Sequence, residues 1–321
     1  MEYGSWLKWQ IDYLLWFQNF RDVSNHIFDK FFIYITMFGE ITIPIIVICL
    51  FYWVLNKKTG QFILFSWMLG FITNFFLKAT ACIYRPWILD YRIHPVPEAM
   101  PAATGYSFPS GHTAGAMSIW GGLAVSYWNN KLVRFLGLFI VLCVMLSRNY
   151  LGVHTPQDVI VSFIVSCFVL WGVYSLLNWV NNDDKTNNRD LIAVGLIFAV
   201  TTLIILYVVL KPYPVHYLFG KILYYPNDMK YDALLRSGLL FGAFSGWIVE
   251  RRYIKFLPET GTILKKVIRF GFGIACLYAM HSFIKVIKGV PELQLCVFIQ
   301  YFIQGLFITC IYPFIIKKFR I

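Results

Sequence analysis

Leu191 to Leu210 is twenty residues long and carries no charged side chain. As an α-helix that run is about 30 Å long, the thickness of a bilayer's hydrocarbon core. The chain repeats the theme: 59% of its 321 residues are hydrophobic and 14% are charged, against about 25% charged in a soluble domain. The expected fold class is therefore an all-α polytopic membrane protein, a helical bundle of about nine transmembrane helices. Spans are expected near 41–55, 61–83, 112–128, 132–149, 157–180, 191–210, 233–249, 267–286 and 293–316. Several of their uncharged cores are shorter than the ~20 residues a crossing wants.

Trp6 to Phe20 differs, because Lys8, Gln10, Asp12 and Gln18 interrupt its Trp, Ile, Leu and Phe at helical intervals. It reads as an interfacial amphipathic helix, and it lacks the charged start and apolar run of a cleavable signal. The net charge of +12 would suggest nucleic acid in a soluble chain. Here the cations crowd short loops, so no nucleic-acid partner is expected and the bilayer itself is the partner. One set of loops, which includes Lys57, Lys131, Lys185, Arg251, Lys265, Arg269, Lys317 and Arg320, holds fifteen of the 28 Lys and Arg. Assigning it to the cytoplasm puts the stretch Ser147 to Asp158 on the outer face. The seven cysteines are scattered without a close pair and read as small apolar packing residues.

The polar break Asn181 to Asp190 divides the chain. The expected organisation is an interfacial segment over 1–39, a five-span membrane core over 40–180, a linker over 181–190 and a four-span region over 191–321.

Three polar motifs punctuate the front part, each at the outer end of an apolar segment. Lys78 and Arg85-Pro86 are seven positions apart, about two helical turns, which lets both cations face one side of the bundle. Taken alone they also fit as snorkelling residues at a helix end. A proline-rich loop follows, with Trp87, Tyr91 and Tyr106 expected at headgroup level. Pro109-Ser-Gly-His112 opens the next span: Ser110 suits an N-cap, Gly111 allows close backbone approach, and a helix N-terminus binds anions. The bland alternative is an ordinary helix start. In Ser147-Arg148-x5-His154-x3-Asp158, Thr155-Pro156 suits a cap and first turn, so Asp158 can reach back to His154. An imidazole held that way keeps one nitrogen free to attack, although a plain capping pair fits the same spacing.

Together and in this order, the three motifs resemble the signature of the type-2 phosphatidic acid phosphatase superfamily, which includes bacterial acid phosphatases and vanadium haloperoxidases. The resemblance covers residues 40–180 with no departure at a signature position. It implies a five-span phosphatase core that needs no metal or other cofactor. By the same resemblance His154 attacks phosphorus, Asp158 orients it and His112 protonates the leaving oxygen. Lys78, Arg85, Ser110, Gly111 and Arg148 hold the phosphate oxygens. No carboxylate cluster suggests a dinuclear metal site.

A site at the outer interface favours a lipid phosphate or pyrophosphate over a soluble ester, with undecaprenyl pyrophosphate, phosphatidylglycerol phosphate, phosphatidic acid and sphingoid phosphates as candidates. The Ile-, Phe-, Lys- and Asn-rich composition points to a bacterial cytoplasmic membrane. Alternatives on the same residues are phosphoryl transfer to a glycan or lipid acceptor, and a sugar-phosphate phosphatase resembling glucose-6-phosphatase, which has a similar nine-span plan. In the back part, the loop from Lys211 to Asp232 carries Tyr213, His216, Tyr224, Tyr225, Lys230 and Tyr231; it covers the site or anchors at the interface. Gly242-x3-Gly246 permits close helix contact, and His281 is expected as a core histidine.

Overall fold

A chain whose apolar runs face lipid must satisfy its backbone internally, and the helix is the local way to do so. The computed structural model bears this out; it describes residues 5–182, 188–214, 217–218, 221–222, 226–287 and 294–319. In chain order the helices are α1 (Ser5–Val23), α2 (Asp29–Thr36), α3 (Thr42–Leu50), α4 (Lys57–Ala81), α5 (Pro86–Leu89), α6 (Gly111–Ala116), α7 (Gly122–Ser126) and α8 (Lys131–Tyr150). They continue with α9 (Pro156–Asn181), α10 (Arg189–Leu210), α11 (Pro226–Val249), α12 (Ile263–Ile287), α13 (Gln294–Leu306) and α14 (Tyr312–Phe319). Wider π-helical turns extend α3 and α11 and join α6 to α7 and α13 to α14. Tyr217–Leu218 and Lys221–Ile222 form a short antiparallel pair.

Each expected span contains a helix. Among the described residues, five stretches are long and apolar enough to cross a membrane: Lys57–Leu89, Lys131–Tyr150, Pro156–Asn181, Arg189–Leu210 and Leu295–Phe319. A sixth is counted if Asp29–Gly39 and Thr42–Leu55, bent by 48°, form one span. Phe135, Phe139 and Leu142 on α8, Phe168 and Trp171 on α9, and Leu196 and Leu203 on α10 all stand exposed. That much bare apolar surface suits a bilayer and not water.

The chain gathers into two compact units that do not follow chain order. The first comprises Met1–Ile45, Leu69–Trp171 and Tyr213–Tyr225; the second comprises Ile46–Met68, Gly172–Pro212 and Pro226–Ile321.

In the first unit α1 is amphipathic, as expected, but its inward face is a protein contact that mixes polar and apolar groups. Ile11, Leu14 and Phe17 are buried against Ile93, Val96, Tyr150 and neighbours, while Trp6, Trp9, Trp16 and Phe20 are exposed. Its polar residues act as straps. Gln18 Nε2 donates to the Arg92 carbonyl at 3.1 Å and Gln18 Oε1 accepts from His94 N at 2.7 Å. Arg21 donates to the carbonyls of His94 and Tyr150. Helix α1 therefore pins the proline-rich loop and the end of α8. Tyr106, expected at headgroup level, is instead buried beside Tyr84 with ring centroids 5.6 Å apart, whereas Tyr91 is exposed. The segment after α2 touches α6 backbone to backbone: a Cβ added at Gly39 would overlap the His112 carbonyl oxygen, and one at Gly115 would overlap that of Gly39.

The second unit is built on aromatic packing and small residues. Trp53 is fully buried, stacks edge-on with Tyr312 and donates to the Ile308 carbonyl at 2.9 Å. Gly242 lies so close to Phe302 that any Cβ would strike its carbonyl, and Gly246 meets Thr309. The small-residue spacing thus brings α11 onto α13 and its continuation. Lys57 pairs with the buried Glu250 at 2.8 Å. Three expectations change here. Arg269, counted with the loop cations, is a buried residue of α12; helix α11 starts at Pro226, suited to a first helical position, and not near 233; and His281 is exposed. Lys185, His216, Tyr224, Tyr225 and Arg320 lie outside the described residues.

Candidate active site

All eight motif residues fall in the first unit. Helix α9 starts where Thr155-Pro156 predicts. Thr155 N donates to Asp158 Oδ2 at 2.9 Å and Asp158 N returns to Thr155 Oγ1 at 3.4 Å, a reciprocal cap. That cap holds the Asp158 carboxylate 3.3 Å from His154 Nδ1. Both side chains are buried.

Arg85 reaches the same histidine by a route the spacing does not predict. The α4 helix ends at Ala81, Cys82 turns the backbone with φ 50°, and Arg85 is extended at φ −67°, ψ 152°. Pro86 explains this, since the residue before proline is pushed out of the helical region. From there the Arg85 guanidinium is tied to the carbonyls of Gly105 (3.0 Å), Thr104 (2.7 Å) and Val153 (3.0 Å). Its Nη1 also lies 2.9 Å from His154 Nε2. An arginine only donates, so Nε2 is the accepting nitrogen and the ring proton sits on Nδ1, facing Asp158. Burial, reinforced by the charges of Arg85, Arg148 and Lys78, holds the His154 pKa well below the ordinary 6.5. The imidazole is therefore neutral, with the Nε2 lone pair in a field of cations.

Ser110 is the N-cap of α6, its hydroxyl oxygen accepting from Thr113 N at 3.3 Å. Its amide donates to the Asp158 carbonyl at 3.0 Å, and its own carbonyl accepts from Asn74 (3.3 Å) and Ser162 (2.7 Å). The α6 N-terminus is thereby fixed against α9 and α4. A Cβ at Gly111 would find nothing nearer than Asn74 Oδ1 at 4.0 Å, so the backbone is open there. Lys78 donates to the carbonyls of Tyr106 and Ser107.

Arg148 and His112 carry the most telling feature. Arg148 is fully buried; Nη1 donates to Thr36 Oγ1 at 2.8 Å, while Nε and Nη2 have no partner among the described residues. His112 is buried and its Nε2 is likewise unpartnered. A buried donor left without an acceptor costs roughly 1–3 kcal/mol, and more on a charged group. Such groups persist when an anionic ligand supplies the acceptors. Among the described residues, no three His, Cys, Asp or Glu side chains gather as a metal site.

Sequence reasoning missed four positioning groups. Ser107 is buried and donates to Asp158 Oδ2 at 2.5 Å, with Oγ 3.4 Å from His154 Nδ1. Asn149 Nδ2 donates to the His154 carbonyl at 2.9 Å; Asn74 and Thr36 act as described above. Ser107 stands three residues before Ser110, and its polarity in an otherwise Tyr-, Phe- and Pro-rich approach to the helix was the available signal. Thr36 and Asn74 offered none, because they come from remote segments.

The chain matches a family described as "PAP2 superfamily" over residues 60–182, which contain all eight residues. It also matches one described as "PAP2 superfamily phosphatase, transmembrane extension" over 235–321. The second match covers much of the back part, where the motif resemblance did not reach. The chain is 26% identical over 159 residues to "Undecaprenyl-diphosphatase BcrC" of Bacillus subtilis (strain 168), which is 48% of this chain and 78% of that protein. It is 36% identical over 80 residues to "Phosphatidylglycerophosphatase B" of Escherichia coli (strain K12), 24% of this chain and 30% of that protein. It is 26% identical over 114 residues to "Undecaprenyl-diphosphatase" of Sulfolobus acidocaldarius, 36% of this chain and 53% of that protein. No solved structure matches the chain.

Proposed function

This chain belongs to the PAP2 superfamily and carries that superfamily's phosphatase transmembrane extension, and from this premise we propose that it hydrolyses a lipid phosphate or pyrophosphate through a phosphohistidine. The observation that carries the reading is the pairing of a neutral, Asp-oriented His154 with the unpartnered buried donors of Arg148 and His112. His154 Nε2 forms a bond to phosphorus as the bond from phosphorus to the leaving oxygen breaks. His112 gives its proton to that oxygen. Water then attacks phosphorus, His112 takes a proton from it, and phosphate leaves His154. Asp158 stabilises the positive charge that grows on His154. Arg85, Arg148, Lys78 and the Gly111 amide stabilise the equatorial oxygens, the main contribution a protein makes to phosphoryl transfer.

The residues supply every charge this sequence of steps requires, which supports a reaction without a metal. The exposed apolar faces of the helices support a substrate whose phosphate is attached to a lipid, and the loop-charge bias supports a site on the outer face of a bacterial cytoplasmic membrane. The relatives' names favour undecaprenyl pyrophosphate and phosphatidylglycerol phosphate as the first substrates to try.

The test is phosphate release by purified protein in detergent with EDTA, from those two lipids, phosphatidic acid, a sphingoid phosphate and glucose 6-phosphate, with His154→Ala as control. Release from a lipid, reduced on the order of 10⁴-fold or more in the variant, is the expected result. A phosphorylated acceptor in place of free phosphate would show transfer. Undiminished activity in His154→Ala would overturn the phosphohistidine.

A further inference from the structure

A second collection of cations lies in the unit that holds none of the active-site residues. The π-helical end of α11 stops at Lys255, which takes a left-handed φ of 51°, and the chain loops through Gly261, φ 97°, before α12 begins. Between this loop, the first turns of α12 and the end of α14 is a pocket of about 380 Å³. Lys255, Lys265 and Lys317 line it, with the buried Arg269 as part of its wall. No carboxylate is among its lining residues.

The wall is settled before any ligand arrives. Arg269 spends its donors on the carbonyls of Trp53 (3.1 Å), Pro258 (2.9 Å) and Thr260 (2.9 Å), and Lys317 donates to that of Ile254. These bonds fix the loop, and with four cationic side chains in its lining the pocket presents a positive field to an approaching anion. Leu257 and Ile316 also line the pocket, and Leu257 is exposed. A cationic hollow with an exposed leucine in its wall suits an amphiphile, an anionic head with a hydrocarbon chain next to it.

We propose that this pocket binds the phosphate of an anionic phospholipid headgroup, independently of the reaction, with the acyl chain lying over Leu257. The shared chemistry is a phosphate oxyanion on lysines; a free phosphate ion is the other source of it. A phosphodiester lipid serves as probe because it offers no terminal phosphate to the catalytic site.

The experiment measures thermal stabilisation of the purified full chain by dihexanoyl phosphatidylglycerol, by dihexanoyl phosphatidylcholine and by inorganic phosphate, for wild type and for Lys255→Gln/Lys265→Gln. The expected result is a saturable rise in Tm with phosphatidylglycerol, absent with phosphatidylcholine. The double variant should need about thirtyfold more lipid for half-saturation, as expected for two near-surface cations at about 1 kcal/mol each, with phosphate release unchanged as proof of folding. If inorganic phosphate alone gives the same variant-sensitive rise, the headgroup assignment fails and the ligand is the free ion. Equal stabilisation of both proteins, or none of the wild type, overturns the site; the Lys255→Gln and Lys265→Gln single variants serve if the double variant loses phosphate release. Failure of the catalytic reading would appear as no phosphate release from any lipid even with the wild type; a cooperative melting transition of the unliganded double variant at the wild-type Tm then serves as proof of folding, and the binding measurement still decides the site.

Discussion

Two arginines, one in each compact unit, are almost wholly enclosed, and they are enclosed on opposite terms. Arg269 in the second unit gives hydrogen bonds to three backbone carbonyls and ties the loop after α11 to the end of α3. Arg148 in the first unit makes one bond to Thr36 and leaves Nε and Nη2 unpartnered. The first arginine completes its surroundings. The second keeps two donors without an acceptor among the described residues, which under the proposed function the substrate phosphate supplies. Burial therefore does not separate the two arginines, but the state of their hydrogen bonds does.

The sharpest way to break this contrast is to replace each arginine by methionine, which keeps much of the volume and removes the charge. Arg148→Met should reduce phosphate release on the order of 10²–10³-fold, the loss seen when one transition-state donor is removed. Its Tm should stay level or rise, since an incompletely paired buried charge is gone. Arg269→Met should do the reverse, destabilising by about 3 kcal/mol or more because three carbonyls lose their donor at roughly 1–3 kcal/mol each. Its remaining folded fraction should turn over normally. Paired thermal melts and turnover per folded molecule read both; a destabilised but active Arg148→Met would refute the distinction.

A smaller effect probes how His154, the proposed nucleophile, is held. Ser107→Ala removes one of the donors to Asp158 Oδ2 and should lower kcat by about tenfold, 1.4 kcal/mol, with KM little changed. Ser107→Thr should restore most of it, which a merely space-filling role would not require. Combining Ser107→Ala with Asp158→Asn should be less than additive, since both act through His154.

The least of the expected effects is on acid stability. Because the folded-state pKa of His154 is depressed, its neutral form contributes equally in both states above about pH 6.5. Below that pH the unfolded chain takes up a proton that the folded one refuses. Stability should then fall as pH falls, by up to about 1.4 kcal/mol per pH unit from this group. Melts between pH 7.5 and 5.5 should be flatter for His154→Gln, and flatter in wild type with vanadate bound, because an anion beside the ring raises its pKa.

Much of the site was legible because its chemistry is local. The His154–Asp158 pair and the Ser110 cap each lie within one helical turn of sequence, where spacing dictates geometry. Arg85 was read on the wrong backbone for the right neighbourhood; the proline after it held the correction. Arg269 looked like a loop cation because a charge three residues beyond Lys266 says nothing about whether carbonyls from residue 53 will meet it. Thr36, Asn74 and the inward polar face of α1 were illegible for the same reason: their partners lie far along the chain, and only the fold brings them near. The helical character of the whole was plain from its apolar runs. The gathering into two units that interleave along the chain was not, since periodicity reports a helix's faces and not its neighbours.

The contact between Gly39 and the backbone of α6 limits how this protein can be dissected. The matched PAP2 stretch begins at residue 60, but the floor on which His112 rests, and the Thr36 hydroxyl that anchors Arg148, come from before it. A fragment cut at the family boundary would keep every residue of the signature and lose the support for two of them. The transplantable module is larger than its motif, and a chimaera joining this core to another N-terminus would have to bring a glycine to meet α6.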